Sequence, residues 1–330
     1  MRQLSVRRAS APAVEIAVAR RGGHGGPPDF GLLRWLVLAT LLLGGCAKVD
    51  ILNAMIPTGG LTIRRDIAYG TEPRQHLDIY YPPRSAPGST AIPPPVVGFF
   101  YGGSWQYGDK GDYLFAAQAL ASRGAIVVVP DYRVYPAVTF PGFLDDGAAA
   151  AAWTLRHADE IGGDPRSVFL AGHSAGAYIA IMLALDQDYL NRAGVSTRQL
   201  AGAVGISGPY DFLPLTRPDI KKIFEVVPDM AVTQPIHYAR ADAPPLLLLT
   251  GEADTTVGPY NTHHLADRIR ALGGQVEDRY YPDVDHIDSV IALTWVFRQR
   301  APVLADIDSF LAAHEPAATP GRSSATVTVQ

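Results

Sequence analysis

Short apolar runs recur along the middle of the chain, and longer helix-forming segments separate them. Such runs predict buried strands, and the segments between them predict helices. The predicted strands are His76–Tyr80, Val96–Phe100, Ala125–Val129, Ser167–Ala171, Ala201–Ser207, Leu246–Thr250 and Val276–Tyr281. The predicted helices are Tyr113–Arg123, Phe143–His157, Ala177–Leu185, Tyr260–Leu272 and Thr294–Ala312. This alternation predicts an α/β fold with a mostly parallel central sheet flanked by helices.

Breaks in this pattern divide the chain into segments. One large domain is predicted over residues 71–314, and 48% hydrophobic composition is enough to give it a sizeable core. Residues 46–70 are interpreted as an N-terminal tether. Residues 212–240 interrupt the alternation and are interpreted as a small lid insertion. Residues 315–330 are small and polar, which predicts a disordered tail.

The N-terminal region predicts an exported lipoprotein. Arg34 precedes the apolar run 35–43, which is too short to span a membrane and is typical of a signal peptide. The run Leu43–Cys46 (L-G-G-C) resembles the lipobox of bacterial lipoproteins, so residues 1–45 would be removed and Cys46 acylated. That anchor would hold the protein on the periplasmic or cell-surface face of a membrane. The alternative is a buried helix ending in glycine beside a chance cysteine.

Charge and cysteine content exclude other classes of protein. The net charge is −4, and no basic cluster with interleaved aromatic residues is present, so nucleic-acid binding is not expected. Cys46 is the only cysteine, so no internal disulfide can form. Nothing in the composition indicates an obligate protein partner.

The most informative motif is G-x-S-x-G at Gly172–Gly176. It follows a predicted strand and precedes a predicted helix. A serine on such a sharp turn projects its hydroxyl above the sheet, and the flanking glycines permit the cramped backbone. Ser174 is therefore the predicted nucleophile, against the alternative of a plain turn.

A serine nucleophile needs a base, and the base needs an orienting acid. Asp254 follows the predicted strand Leu246–Thr250, and His286 follows Val276–Tyr281. This is the Ser, acid, His order of α/β-hydrolases. Glu252 is the nearest rival acid. The neighbouring candidates are given other roles: Asp285 is expected in solvent, His263 and His264 on an exposed helix face, and His173 in local packing or capping.

An oxyanion hole is predicted from backbone N–H groups. Residues Tyr101–Trp105 (Y-G-G-S-W) follow a predicted strand, where Gly102 and Gly103 let the main chain approach a substrate carbonyl. The Ala175 N–H, directly after the nucleophile, is the further predicted donor.

Together these motifs resemble the α/β-hydrolase superfamily. Within it, the chain is similar to the bacterial carboxylesterase and lipase group near the hormone-sensitive-lipase-like and feruloyl-esterase-like enzymes. The resemblance covers about residues 65–313 and rests on the motifs above, with Asp131–Arg133 (D-Y-R) and Gly162–Pro165 (G-G-D-P). Many relatives begin the oxyanion motif with histidine, where this chain has Tyr101. The G-G-x-W form also resembles kynurenine formamidases and prenylcysteine methylesterases.

The resemblance and the motifs imply a serine carboxylic-ester hydrolase that acts through an acyl-enzyme on small to medium acyl esters. No metal or organic cofactor is expected. The alternatives are an amidase or formamidase with the same triad, a prenylcysteine-methylesterase-like hydrolase, and a non-catalytic binding protein on this fold. Six aromatic residues are candidates for an apolar pocket: Trp105, Tyr107, Tyr132, Tyr210, Phe212 and Phe224.

Overall fold

Eight strands form one sheet in the computed structural model, which describes residues 51–83 and 93–315. They are β1 (Thr62–Ala68), β2 (His76–Tyr81), β3 (Val96–Phe100), β4 (Ile126–Pro130), β5 (Val168–His173), β6 (Gly202–Ile206), β7 (Leu246–Gly251) and β8 (Val276–Tyr281). Their order across the sheet is β1-β2-β4-β3-β5-β6-β7-β8. The β1–β2 and β2–β4 pairs are antiparallel, and every other neighbouring pair is parallel. The predicted mostly parallel sheet is confirmed.

The central strands are apolar along their whole length because both faces of the sheet are covered. Every residue of β3, β4, β5, β6 and β7 is buried. Successive residues of one strand belong to different apolar clusters, as Val96 and Val97 do in β3. Two cores therefore lie on opposite faces of one sheet, which is typical of parallel sheets with helices on both sides.

The helices of the described region divide between these two cores. They include α1 (Leu114–Ala121), α2 (Gly142–His157), α3 (Ala175–Leu185), α4 (Gln187–Arg192), α5 (Pro218–Phe224), α6 (Tyr260–Ala271), α7 (Asp288–Ile291) and α8 (Val303–His314). Helices α2, α3 and α6 contribute to one core, and α1 and α8 contribute to the other. No helix of the part of the chain described above is long and apolar enough to cross a membrane.

The interpretation of residues 46–70 as a tether is wrong for its C-terminal part. Strand β1 pairs with β2 and forms one edge of the sheet. Its side chains are mostly exposed and carry charges, which is common in edge strands but gives no apolar alternation to detect. Asp78 of β2 is buried, and it accepts hydrogen bonds from the Arg65 guanidinium (2.9 Å) and the Asp66 N–H (2.9 Å).

The closing helix starts later than predicted. It begins at Val303 rather than Thr294, and residues 293–300 form turns instead. Pro302 stands directly before the first helical residue. A proline disfavours helical conformation at the residue before it and is well tolerated at a helix start. Helix α8 therefore begins directly after Pro302.

The segment 212–240 lies between β6 and β7, outside the alternation, and contains α5 and two short 3-10 helices at Met230–Thr233 and Pro235–Tyr238. Two other predicted segments, the signal peptide 1–45 with its Cys46 anchor site and the tail from residue 316, lie outside the described residues.

The contact between β1 and Asp78 predicts a measurable effect on stability. Replacing Arg65 with methionine (Arg65→Met) removes one partner of a buried carboxylate, which Lys110 still approaches at 3.1 Å. Because the Arg65 side chain is half exposed, we expect a loss of about 1 kcal/mol in the free energy of unfolding. Denaturant unfolding measures it. The neighbouring Arg64→Met is the control and should change stability by less than about 0.5 kcal/mol. Equal losses of stability in the two variants would contradict a stabilising contact between Arg65 of β1 and Asp78.

Candidate active site

Ser174 lies on a sharp turn between β5 and α3. Its backbone dihedrals are φ 55° and ψ −121°, which a non-glycine residue rarely adopts. The flanking glycines make this turn possible. A Cβ atom on Gly172 would lie 2.4 Å from the carbonyl group of Gly176, and one on Gly176 would lie 2.1 Å from the Phe100 carbonyl oxygen. The predicted turn is therefore present, and it requires glycine at both positions.

Ser174, His286 and Asp254 form a continuous chain of hydrogen bonds. His286 Nε2 lies 2.9 Å from Ser174 Oγ, and His286 Nδ1 lies 2.7 Å from Asp254 Oδ2. An ionised carboxylate can only accept a hydrogen bond, so Nδ1 carries the proton and Nε2 is left to accept the serine hydroxyl. This arrangement lets the imidazole take a proton from the hydroxyl.

The second oxygen of Asp254 is also bound. Asp254 is buried at the end of β7, and its Oδ1 accepts hydrogen bonds from the backbone N–H groups of Thr256 (2.9 Å) and Val257 (2.8 Å). The carboxylate plane is therefore fixed by the loop that follows β7. The rival acid Glu252 is exposed and is not part of the hydrogen-bonded chain.

The other acidic and histidine candidates lie where the sequence predicts them. Asp285 is exposed, and its Oδ1 accepts the N–H groups of residues 287 and 288 at the start of α7. His263 and His264 are exposed on α6, where His263 stacks on Tyr280 and His264 pairs with Asp211. Among the described residues, no group of three or more His, Cys, Asp or Glu side chains could hold a metal ion.

His173 does more than the local packing that the sequence predicts. Its ring is buried beside that of His286, and its Nε2 lies 3.1 Å from the His286 carbonyl oxygen. The same carbonyl accepts a hydrogen bond from Ser289 Oγ (2.7 Å), which in turn accepts one from Ser207 Oγ (2.9 Å). No sequence motif reveals the contacts of His173 with His286 or of Ser207 with Ser289, because these partners are 113 and 82 positions apart along the chain.

The predicted oxyanion donors lie on two segments in backbone contact. Gly102 and Gly103 follow β3, and Ala175 is the first residue of α3, where an N–H has no intrahelical acceptor. A Cβ atom on Gly102 would lie 3.1 Å from the His173 carbonyl oxygen. Gly103 has φ +136°, and a Cβ there would lie 2.2 Å from the Tyr107 carbonyl oxygen. The loop after β3 therefore lies directly against the turn at Ser174.

Tyr101, which stands where the resemblance leads us to expect histidine, anchors this loop. Its phenol oxygen accepts a hydrogen bond from Arg74 Nη2 (2.7 Å), and its ring stacks on Tyr132 at 4.5 Å between centroids. The Tyr132 hydroxyl donates to the Tyr101 carbonyl oxygen (2.8 Å), and Arg74 also donates to the Gly108 carbonyl oxygen (2.6 Å). The two ends of the loop are thus joined through one guanidinium group.

A cavity of about 340 Å³ opens beside Ser174. Trp105 forms part of its wall, and the segment 212–217 with Ile220 forms another part. Of the six aromatic candidates for a pocket, Trp105 and Phe212 line this cavity. Tyr132, Tyr210 and Phe224 are fully buried in the core, and Tyr107 is exposed to solvent.

Among the described residues that line the cavity, the one charged side chain is Arg217. It contacts Asp219, and this hydrogen bond lowers the pKa of the Asp219 carboxyl to about 2. The positive charge of Arg217 is therefore balanced at the cavity rim by a neighbouring carboxylate.

The sheet order, the serine turn and the Ser174–His286–Asp254 geometry together define an α/β-hydrolase fold. Residues 77–269 match the BD-FAE family model, and the chain belongs to the BD-FAE family.

The chain is similar to several known proteins. It is 30% identical over 283 residues to a probable isoprenylcysteine alpha-carbonyl methylesterase of Arabidopsis thaliana, an alignment that covers 77% of this chain and 58% of the relative. It is 28% identical to Esterase LipC of Mycobacterium tuberculosis, over 63% of this chain and 55% of the relative. The chain thus spans a little over half the length of these curated relatives. The structure of Thermogutta terrifontis esterase 2 superposes with a TM-score of 0.62 at 22% identity, covering 78% of this chain and 96% of the other.

The backbone contact at Gly176 predicts a specific sensitivity. Gly176→Ala places a methyl group 2.1 Å from the Phe100 carbonyl oxygen, so the turn and the loop after β3 must separate. We expect a loss of about 1–3 kcal/mol in the free energy of unfolding, measured by denaturant titration. The control is Gly59→Ala, where an added Cβ meets nothing within 4 Å. Unchanged stability of the Gly176 variant would contradict the close approach.

Proposed function

We propose that this protein is a serine carboxylic-ester hydrolase that acts through an acyl-enzyme on small to medium acyl esters. The observation that carries the proposal is the Ser174–His286–Asp254 hydrogen-bonded chain at the wall of a cavity. A buried acid, an oriented imidazole and a serine on a strained turn are the parts that activate a hydroxyl nucleophile. Membership of the BD-FAE family and the esterase relatives support the same activity.

The proposed reaction has two halves. In the first half, Ser174 Oγ attacks the ester carbonyl carbon while His286 Nε2 takes the hydroxyl proton. Asp254 keeps the proton on Nδ1 and stabilises the imidazolium that forms. His286 then protonates the leaving alcohol, and the acyl group stays on Ser174. In the second half, His286 deprotonates a water that attacks the acyl-enzyme, and the acid is released.

The tetrahedral intermediates carry negative charge on the former carbonyl oxygen. We assign the stabilising donors to the backbone N–H groups of Gly102, Gly103 and Ala175. One such donor contributes roughly 3 kcal/mol to transition-state stabilisation. These steps require no metal or organic cofactor, and the expected partner is a small-molecule ester.

The chemistry of the triad is compatible with more than one leaving group. One relative is named as a methylesterase, so a methyl ester of a thioether-bearing acid is a reasonable alternative substrate. An amide or formamide is the other alternative, because the same triad can cleave it. Direct comparison of ester and amide turnover separates these possibilities.

Hydrolysis of a graded series of p-nitrophenyl acyl esters tests the proposed activity. We expect turnover by the wild type and a loss of at least about 10⁴-fold in kcat for Ser174→Ala, because the nucleophile is removed. Ser309→Ala, an exposed serine on α8, is the matched control and should retain full activity. Folded wild-type protein without turnover, or Ser174→Ala with full turnover, would refute the esterase proposal. The chain-length optimum would indicate the acyl size that the cavity accepts.

We further propose that Cys46 is acylated and anchors the mature protein to a bacterial membrane on its exported side. The support is the short apolar run followed by Leu43–Cys46 and the absence of any other cysteine. Such an anchor holds a protein on a membrane through acyl chains rather than by a spanning helix.

Fractionation of bacterial cells that express the full chain tests the anchor. Wild-type protein should sediment with membranes and incorporate an alkyne fatty acid, whereas Cys46→Ser should lose the label and become soluble. Ser10→Ala, outside the lipobox-like run, should behave like the wild type. Membrane retention of Cys46→Ser together with an unlabelled wild type would exclude acylation at this residue.

A further inference from the structure

The three loops that supply the site meet at one hydrogen-bonded pair of polar side chains, the buried His173 and the half-buried Tyr113, that the reaction above does not use. His173 Nδ1 lies 2.8 Å from the Tyr113 hydroxyl, and His173 Nε2 lies 3.1 Å from the His286 carbonyl oxygen. His173 is 2% exposed, and Tyr113 packs against the rings of Phe99 and Phe115. Because the His173 ring is buried, leaving either of its nitrogen atoms without a hydrogen-bond partner would be costly.

The two contacts fix the tautomer of His173. A carbonyl oxygen can only accept, so the proton must be on Nε2 and is donated to the His286 carbonyl oxygen. Nδ1 is then an acceptor, and the Tyr113 hydroxyl donates to it. Burial and the nearby His286 ring lower the pKa of His173 well below its ordinary value. Burial raises the pKa of Tyr113, so both groups are neutral at pH 7.

The pair also contacts the loop that carries the proposed oxyanion donors. Gly102 lies beside the Tyr113 phenol oxygen. A Cβ atom at Gly102 would lie 2.8 Å from that oxygen and 3.1 Å from His173 Nδ1, so only glycine fits there. The nucleophile is the residue after His173. One hydrogen-bonded pair therefore touches the nucleophile turn, the oxyanion loop and the loop of the base.

We propose that His173 and Tyr113 are positioning residues: they hold the His286 backbone and the loop at Gly102 at fixed positions relative to Ser174. His173 is the donor to the His286 carbonyl, and Tyr113 orients the His173 ring. Neither group exchanges a proton with substrate. Since His173 remains neutral, it donates to the base loop without placing a second positive charge beside the His286 imidazolium. The inference rests on the proposed esterase chemistry.

Kinetics of two variants test the positioning role. Tyr113→Phe keeps the ring and removes the hydroxyl, and we expect kcat to fall about 3–10-fold while KM changes less than about twofold. His173→Leu removes both hydrogen bonds, and we expect a fall of about 10–100-fold in kcat. His173→Gln can still donate to the His286 carbonyl and should recover most of that loss. Tyr80→Phe, a buried tyrosine on β2, is the matched control and should retain wild-type kcat.

The outcomes separate positioning from simple packing. A packing role would lower the melting temperature with kcat unchanged, and wild-type kcat in both Tyr113→Phe and His173→Leu would overturn the proposal. A loss in His173→Leu that His173→Gln does not recover would also contradict the donor role. If the wild type shows no turnover at all, the proposed function fails rather than this inference.

A measurement that needs no turnover tests the inference independently. In ¹⁵N-histidine-labelled wild-type protein, two-bond ¹H–¹⁵N correlation spectra report which ring nitrogen carries the proton. The His173 signal, assigned by its absence in His173→Leu, should be that of a neutral Nε2–H ring. A ring protonated on Nδ1, or on both nitrogens, would refute the assigned hydrogen bonds.

Discussion

The turn at Ser174 is the constraint on which the rest of the site depends. A non-glycine residue at φ 55° and ψ −121° stores roughly 1–3 kcal/mol of strain. The surrounding structure holds it there. The Ser174 N–H donates to the Ile206 carbonyl oxygen (2.9 Å), and helix α3 after it is buried on every side. Because the turn cannot relax, Ser174 Oγ stays above the carboxyl edge of the sheet.

This turn also explains where the other parts of the site lie. Parallel strands β3, β5, β6, β7 and β8 end at one edge of the sheet, so the loops after them meet there. Asp254 follows β7, and His286 follows β8 at the end of a short loop. The backbone at the end of β3 lies so close to Gly176 that a side chain there would collide with the carbonyl oxygens of Phe100 and Tyr101. The sheet thus brings Ser174, Asp254 and His286, which are far apart in the sequence, close enough to form a continuous series of hydrogen bonds.

The buried strands and the main triad candidates could be predicted because each has a local signal. Strand β8 has the predicted limits Val276–Tyr281, and the central strands are continuous apolar runs. Strand β1 could not be predicted, because an exposed edge strand has no apolar alternation and its identity depends on pairing with β2. The sequence predicts that α8 starts at Thr294, because the apolar spacing typical of a helix is already present there. In the structure these residues form turns, and the helix begins only after Pro302.

Within the site, the sequence could not predict the contacts between residues that belong to no common motif. Tyr113 and His173 are 60 positions apart, and Arg74 and Tyr101 are 27 apart. Each pair joins a loop of the site to a different element of the fold, and the hydrogen bonds depend on tertiary packing alone. Tyr101 is an example, because its phenol holds the loop through Arg74, which also donates to the Gly108 carbonyl oxygen.

The proposed catalytic residues and much of the cavity wall belong to different segments of this chain. The triad and the glycine loop belong to the sheet edge, whereas much of the cavity wall comes from residues 212–217 and Ile220 in the insertion. Trp105 connects the two. It lies in the loop that carries the proposed oxyanion donors, and its ring packs edge-on against Phe224 (4.7 Å) and against Tyr178 of α3 (5.1 Å). The insertion also contacts this loop and α3 through Gln106 Nε2, which donates to Asp219 Oδ2 (3.2 Å), and the Tyr178 hydroxyl, which donates to the Thr233 carbonyl oxygen (2.8 Å). A change in the insertion can therefore reshape the cavity and reach the triad through these contacts. Because a shared fold does not determine the substrate, the residues of this wall are the ones to vary when substrate preference is studied.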